Sequence, residues 1–295
     1  MLLKLLLKKR KKLPWPIQFG LSHLATFGKA KKFASSFAAV ETYCTFIGYS
    51  RSGHSLIAAL LDAHPHIVMA HELRAVKYFQ YGFGRNAIYY LLWQMTKIRG
   101  HSWKRGSGYT YDVPHQYQGS FEQIRVIGNK HGEFTACVLA GTPNLLQKLQ
   151  DTVEVPVKLI HVVRNPFDNI AAFAIKRAKR RNSEVTEADI QASIDRYFSV
   201  CASVMKVKTM ADSINADVLD IRHEDFIKEP AVQLNKLCLW LGVEASSSYL
   251  ENCASVVFES PHQKRHKIQW SENLKEQVDS KMRLFPFFAG YTFDS

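Results

Sequence analysis

Five short apolar segments, separated by segments of helical periodicity, constrain the fold of this chain more than any other feature of its sequence. Each is rich in β-branched or aromatic residues, which is typical of strands buried on both faces of a sheet. The predicted strands are ETYCTFIGY (41–49), IVMA (67–70), IRVIGN (124–129), VKLIHVV (157–163) and ADVLDI (216–221). The predicted helices are 55–64, 76–98, 167–181, 186–212 and 229–241. Strands that alternate with helices predict an α/β fold with a mostly parallel central sheet of about five strands and helices on both faces.

The chain divides by charge. Of its 39 Lys and Arg residues, nine lie in residues 1–40, which hold no Asp or Glu, while the other 30 are nearly balanced by 26 acids. We therefore predict a basic N-terminal extension over 1–40, partly disordered or lying on a membrane surface, and a single domain over 41–295. The mildly basic domain argues against a nucleic-acid partner, because such a partner requires a basic face on the folded domain.

The first twelve residues, MLLKLLLKKRKK, allow two interpretations. Their apolar run is far shorter than the roughly 20 residues that span a membrane, and the charge follows that run instead of preceding it as in a secretory signal. Leucines beside a block of lysines favour peripheral contact of residues 1–12 with an anionic membrane. The alternative is a solvated basic tail that docks on the domain beyond residue 13.

The cysteines predict neither a metal site nor a disulfide framework. There are five, widely spaced, with no CxxC motif and no cluster of His and Cys residues. The sequence also has no Asn-x-Ser/Thr acceptor for N-glycosylation. These observations favour a reducing compartment, and we expect a cytoplasmic protein that is peripheral to a membrane if residues 1–12 bind lipid.

Three of the predicted strands end in polar, cationic segments: YSRSGHS (49–55), GNKHG (128–132) and RNPFDN (164–169). In open parallel sheets the ligand binds beyond the carboxyl ends of the strands, so these segments should converge on an anion. The first segment opens a helix, whose backbone N–H groups and dipole suit a phosphate or sulfate group. A Walker A motif and an acid for magnesium are absent, which disfavours the alternative of a kinase-like nucleotide-dependent transferase.

The segment YSRSGHSLIAALLDAHP (49–65) resembles the 5′-phosphosulfate loop and helix of sulfotransferases that use 3′-phosphoadenosine 5′-phosphosulfate (PAPS), most closely the Golgi-type and tyrosylprotein branches. VVRNPFDN (162–169) resembles the 3′-phosphate segment of that family. Residues 221–243 and 262–274 are similar to its later segments, in the same order. The resemblance implies a P-loop-like fold and in-line transfer of a sulfuryl group from PAPS to an acceptor hydroxyl or amine. It also implies 3′-phosphoadenosine 5′-phosphate as product and no metal.

The resemblance assigns the donor-binding residues. Arg164 would bind the 3′-phosphate, but the serine that the family has eight residues later is Ala172 here. Asn169 or the late loop 262–274 would supply the missing contact. The candidates in that loop are Lys264, Arg265 and Lys267. We favour Arg265 among them. The residues assigned to the 5′-phosphosulfate are Arg51, Ser52, Gly53, His54 and Ser55. The alternative for His54 is that it only begins the helix and does not contact the ligand.

The catalytic roles follow from the same resemblance. Glu72 lies 21 residues after Arg51, the separation at which the tyrosylprotein branch has its catalytic base. Lys130 falls where that branch has a lysine that contacts the transferring group, and His131 is the alternative base. Arg51 would act on the leaving group as a cation. The expected acceptor is a hydroxyl of a small molecule or a carbohydrate; a third hypothesis is a non-catalytic module that binds anions or membrane surfaces.

Overall fold

The computed structural model describes residues 14–99 and 111–295, and its core is one parallel sheet. The strand order is β2-β3-β1-β4-β5, and every neighbouring pair is parallel. The strands are β1 (Thr42–Ile47), β2 (Ile67–His71), β3 (Val126–Lys130), β4 (Val157–Val163) and β5 (Asp217–Arg222). The α/β fold predicted from the sequence is confirmed.

Helices fill the connections between strands. A four-residue turn of 3-10 helix, Ala34–Phe37, precedes β1. The α-helices are α1 (Trp15–Thr26), α2 (Lys29–Lys32), α3 (His54–Asp62), α4 (Ala75–Gln80), α5 (Arg85–Arg99), α6 (Gly132–Gly141), α7 (Leu145–Val153), α8 (Pro166–Arg181), α9 (Glu187–Ser213), α10 (His223–Lys228), α11 (Pro230–Leu241), α12 (Ser247–Ala254) and α13 (Glu272–Met282). The helix predicted over 76–98 is two helices, since Gly82 adopts a positive φ of 79° between them.

The two faces of the sheet are covered by different helices. Tyr43 and Ile47 of β1 pack into a core with α4, α5, α6, α7 and α9. Cys44 and Phe46 point to the opposite face and pack with α3, α11 and α12. This alternation follows from the period of two in a strand and explains the nearly continuous apolar runs of the sequence. A third cluster, at the carboxyl end of β4, joins α8 to α9 and α13.

The described part of the N-terminal extension packs against the sheet's helical layer. Trp15 of α1 makes an edge contact with Tyr78 of α4, at 5.4 Å between ring centroids. Phe33 stacks on Tyr90 of α5 at 5.5 Å, and Phe37 is buried in the same core. Residues 1–12, for which membrane contact is predicted, lie outside the described residues. Among the described residues, no helix has both the length and the apolar character needed to cross a membrane.

Candidate active site

The loop between β1 and α3 leaves its backbone donors open. Arg51 and Gly53 both adopt positive φ, 76° and 102° respectively. A Cβ at Gly53 would overlap the imidazole of His223, so this position requires glycine both for conformation and for space. Within the described ranges, no backbone acceptor pairs with the N–H groups of residues 52–55. These donors and the positive end of α3 form a cradle for an anion.

Two side chains of this loop maintain its shape. The Ser52 hydroxyl donates to the carbonyl of Tyr49 at 3.0 Å and is fully buried. The His54 ring turns inward against Phe46, 5.5 Å away between centroids, and lies beside Gly48. Burial, and then the nearby Lys130 ammonium, hold the pKa of His54 well below its usual range, so the ring is neutral. Both residues therefore offer an anion their backbone N–H groups, while their side chains fix the loop.

An ion pair lies at the ends of β2 and β3. The register sets His71 opposite Lys130, so the next residue, Glu72, lies beside that lysine. Lys130 Nζ is 3.2 Å from Glu72 Oε1 and donates to Ser55 Oγ at 3.0 Å. Only 6% of the Lys130 side chain is exposed, against 28% for Glu72. The structure thus brings together three of the residues that the sequence singled out, one from each of three segments.

The remaining candidate base, His131, makes a different contact. Its ring stacks on Phe134 of α6, with centroids 4.8 Å apart and planes inclined by 21°. The guanidinium of Arg74 covers the same Phe134 ring at 5.3 Å. The carboxylate of Glu72, by contrast, pairs directly with Lys130. Glu72 is thus the candidate base for which an ion pair with Lys130 is observed.

Sequence reasoning missed a second carboxylate at this loop. Glu133 accepts from the Ser50 hydroxyl at 2.5 Å and from Arg196 at 2.5 Å. Burial raises the pKa of Glu133, but the hydrogen bonds from Ser50 and Arg196 outweigh it, so the pKa lies below its usual value. This contact anchors the residue directly before Arg51. No sequence motif marks it, because Glu133 and Ser50 are 83 positions apart.

Arg164 links the two loops that border the site. One Nη donates to the carbonyl of Arg51 at 2.9 Å, and the other donates to the carbonyl of His262. Its Nε is buried without a hydrogen-bond partner. Both Nη groups therefore hold the shape of the two loops, and Arg164 itself is one of the residues that line the cleft between them.

A cleft of about 1340 Å³ opens at the carboxyl ends of β1, β4 and β5. Seven lysines and arginines line it, with Glu184 as the one acid among its lining residues. The cations are Arg51, Arg164, Lys176, Lys179, Arg180, Lys264 and Lys267. Burial and then repulsion from Lys267 and Arg164 lower the pKa of Lys264. A cleft lined by cations of one sign favours the binding of an anionic ligand.

The basic stretch 176–181 divides between two roles. Arg177 and Arg181 form ion pairs with Asp189 at the start of α9. The other three cations of the stretch line the cleft.

Arg265 lies behind the wall of the cleft. Its side chain is 1% exposed, and its Nη1 is 2.9 Å from Asp168 Oδ2, with a further bond to the Ser295 carbonyl. We favoured Arg265 for phosphate binding from its sequence, but this guanidinium is committed to a buried carboxylate. Its neighbours Lys264 and Lys267 line the cleft in its place.

The position of the missing serine faces the cleft. Ala172 is one of its lining residues, whereas Asn169 is fully buried with neither side-chain polar atom hydrogen-bonded. Asn169 therefore does not supply the contact that a serine at 172 would make. In the late loop, Lys264 and Lys267 line the same cleft as Ala172.

The opposite part of the cleft lining is apolar and aromatic. Tyr111 and Phe258 lie 6.4 Å apart between centroids, and Phe258 contacts His262 at 4.9 Å. His223 also lines the cleft, whereas the next residue, Glu224, accepts from the Asn165 N–H and the Tyr291 hydroxyl and is structural. A planar, partly apolar group fits this region. In the part of the chain that the structure describes, no three His, Cys, Asp or Glu side chains are grouped as metal ligands.

Known proteins with this kind of fold share low sequence identity with the chain. The sulfotransferase domain from the curacin biosynthetic pathway is 14% identical, covers 84% of this chain and 98% of its own, and superposes with a TM-score of 0.49. Sulfotransferase STF9 from Mycobacterium avium is 11% identical, covers 88% of this chain and 81% of its own, and superposes with a TM-score of 0.48. Mouse sulfotransferase SULT7A1, solved in complex with PAP, is 15% identical, covers 81% of this chain and 72% of its own, and superposes with a TM-score of 0.41.

Comparison with known sequences gives a clearer result than comparison with solved structures. No curated protein matches the chain. The sequence profile of the sulfotransferase family, in contrast, matches residues 45–247, about two thirds of the chain, from β1 to the start of α12. The protein therefore belongs to the sulfotransferase family and is an enzyme of sulfuryl transfer.

Proposed function

We propose that this sulfotransferase takes its sulfuryl group from PAPS and transfers it to a hydroxyl of a small molecule or carbohydrate. The observation that carries the proposal is the distribution of cations in one cleft. Arg51 lies at the open loop before α3, while Arg164, Lys264 and Lys267 belong to two other loops. PAPS carries anionic groups at two separate positions, and its adenine suits the aromatic part of the cleft.

The residues of the chain fit this donor. The open N–H groups of 52–55 are donors that an anionic ligand would satisfy. PAPS supplies an activated sulfuryl group whose leaving oxygen belongs to a phosphate, so the protein needs cations at that oxygen rather than covalent chemistry. Arg51 is the residue we assign to that charge.

Glu72 and Lys130 would serve the acceptor. The Glu72 carboxylate, paired with Lys130, is 28% exposed and can accept the proton of an incoming hydroxyl. Lys130 holds that carboxylate and Ser55 at the same time, so it fixes the distance between the base and the loop. Positioning of this kind is the main contribution that a protein makes to in-line transfer.

Calorimetry with the reaction product tests the donor. We expect 3′-phosphoadenosine 5′-phosphate to bind tightly in the presence of a chelator, and ATP with magnesium to bind weakly. ATP lacks the 3′-phosphate that would occupy Arg164 and the late-loop lysines. Preference for ATP with magnesium would favour the kinase-like alternative, and absence of nucleotide binding would contradict the proposal.

Two charge variants localise the 3′-phosphate. Lys264→Gln with Lys267→Gln should weaken binding of 3′-phosphoadenosine 5′-phosphate at least about tenfold, because charge-assisted hydrogen bonds are lost. The matched control, Lys206→Gln with Lys236→Gln, removes the same charge from exposed positions outside the cleft. If both pairs of substitutions weakened binding equally, only the net charge of the protein would affect nucleotide affinity. That result would contradict the assignment of Lys264 and Lys267 to the 3′-phosphate.

A further inference from the structure

The helix α1 is built with its polar side inward. Gln18, Ser22 and Thr26 are its buried residues, spaced by four. The Gln18 amide donates to the Tyr78 hydroxyl at 3.1 Å, and Ser22 shares a hydrogen bond with that hydroxyl at 2.9 Å. A helix that packs on a protein normally buries its apolar face, so this arrangement needs a reason.

Trp15 and Phe19 of α1 flank these polar residues and pack on the core, but other large apolar side chains face outward. Ile17, Leu24 and the following Phe27 are 52%, 69% and 81% exposed. Their spacing of seven and three residues puts them on one side of the helix. Three of the seven large exposed apolar side chains in the described residues therefore lie on this one side of α1.

Cations border the patch. Lys29, Lys31 and Lys32 of α2 are exposed and follow Phe27 directly. Residues 14–40 contain no acid, and the sequence before them adds six more Lys and Arg residues. Two copies of this surface would therefore repel each other, whereas an anionic surface would attract it.

We propose that α1 and α2 form a docking site for an anionic lipid surface, in which Ile17, Leu24 and Phe27 enter the interface and the three lysines contact the headgroups. An outward apolar stripe beside lysines is what such a surface binds. The polar inner face, held by Tyr78, keeps the helix on the protein while its apolar side stays available. This site does not depend on the donor or the acceptor of the enzyme.

Vesicle co-sedimentation of the full chain tests the site. The probes are vesicles of phosphatidylcholine alone and of phosphatidylcholine with phosphatidylserine at about 3:1. We expect binding to the anionic vesicles that weakens as salt is raised. Leu24→Ser with Phe27→Ser should lower the partition coefficient at least about tenfold, because two large apolar groups no longer enter the membrane. Equal binding to both vesicle types would overturn the proposal.

Matched variants separate this site from its alternatives. Val232→Ser with Leu239→Ser removes two similarly exposed apolar groups from α11 and should leave vesicle binding unchanged. Thermal melting verifies that both double variants are folded. The proposal is wrong if deletion of residues 1–12 abolishes binding while Leu24→Ser with Phe27→Ser has no effect. It is also wrong if sedimentation velocity shows that the latter variant dissociates a dimer, since the patch would then cover a second copy.

Discussion

Glu72 and Lys130 occupy the point where two neighbouring strands end and the backbone changes direction. Glu72 adopts a positive φ of 54°, which is uncommon for a side chain of this kind, and its N–H donates to the Lys130 carbonyl at 2.9 Å. Both the backbone and the side chain of Glu72 are thus fixed to the same lysine. A residue held in such a conformation is a candidate for function rather than for stability.

Glu72→Gln is therefore expected to impair chemistry and spare donor binding. Release of sulfate from labelled PAPS measures transfer to water, without a known acceptor. We expect it to fall about 10²-fold or more, because the amide cannot accept the proton. The calorimetric affinity for 3′-phosphoadenosine 5′-phosphate should stay unchanged. A variant with full transfer activity would remove Glu72 from the mechanism and return His131 to consideration.

A substitution at Ala172 tests the donor site in the opposite direction, by a gain in nucleotide affinity. Ala172→Ser adds a hydroxyl at the wall of the cleft, near the cations assigned to the 3′-phosphate. One new hydrogen bond to a charged group should tighten binding of 3′-phosphoadenosine 5′-phosphate about tenfold. Ala174→Ser is the control, since Ala174 lies on the same helix but inside the core. Unchanged affinity in Ala172→Ser would place the 3′-phosphate elsewhere.

At the scale of elements, the loop between β1 and α3 combines strain with open donors. Ser50 is held by Glu133, Ser52 by Tyr49 and the Arg51 carbonyl by Arg164. Two of these contacts come from distant segments and one from within the loop, so the loop is shaped before any ligand arrives. Such preorganisation reduces the cost of ordering the loop around an anion.

Gly53→Ala should disrupt this loop. Alanine at a φ of 102° is strained, and its Cβ would overlap His223. We expect a loss of about 1–3 kcal/mol in unfolding free energy and much weaker binding of 3′-phosphoadenosine 5′-phosphate. Adding His223→Ala should relieve the overlap but not the strain, so denaturant unfolding should show partial recovery. Complete recovery would mean that the conformation at Gly53 imposes no constraint.

At the scale of the whole molecule, buried titratable groups couple stability to pH. His161 lies inside β4, and its Nδ1–H donates to Asp220 Oδ1 at 2.9 Å. Burial lowers the pKa of His161 more than Asp220 raises it, and the pKa of His54 is lowered as well. Burial raises the pKa of Asp220, but His161 and Lys208 outweigh it, so that this pKa is depressed.

Both effects predict that acid destabilises the protein. Below an unfolded pKa of about 6.5, the unfolded chain protonates its histidines while His54 and His161 stay neutral in the fold, so stability falls. Asp220 and Glu133 also contribute to stability, and these contributions are lost when the pH falls through their depressed pKa values. Urea unfolding at about pH 7.5 and about pH 5.5 should show a decline of up to about 1.4 kcal/mol per pH unit for each histidine. His161→Gln should reduce that slope, and a flat profile would contradict the burial argument.

Much of the fold was predictable from local patterns. The five strands were found because apolar β-branched runs mark positions buried on both faces. The prediction of a single helix over 76–98 was wrong, because Gly82 interrupts the helix although the apolar periodicity of the sequence continues through it. The positions of several candidate residues followed from the motifs: Arg51, Gly53, Arg164 and Glu72 lie in loops that follow strands, and Lys130 is the last residue of β3. Their roles stay predictions. Glu133, Lys264 and Lys267 were not favoured, because their roles depend on contacts between distant segments.

The sequence by itself determined the order of strands and helices along the chain and the position of the loop between β1 and α3, since each depends on residues close together in the chain. The pairing of Glu72 with Lys130, 58 positions apart, is a result of the tertiary structure. Only the tertiary structure decided which cation of the late loop faces the cleft, because Asp168 draws Arg265 into the core and leaves Lys264 and Lys267 outside. It also decided which side of α1 faces outward. That choice depends on Tyr78, a buried hydroxyl 56 residues from Ser22 whose hydrogen bonds no local pattern contains.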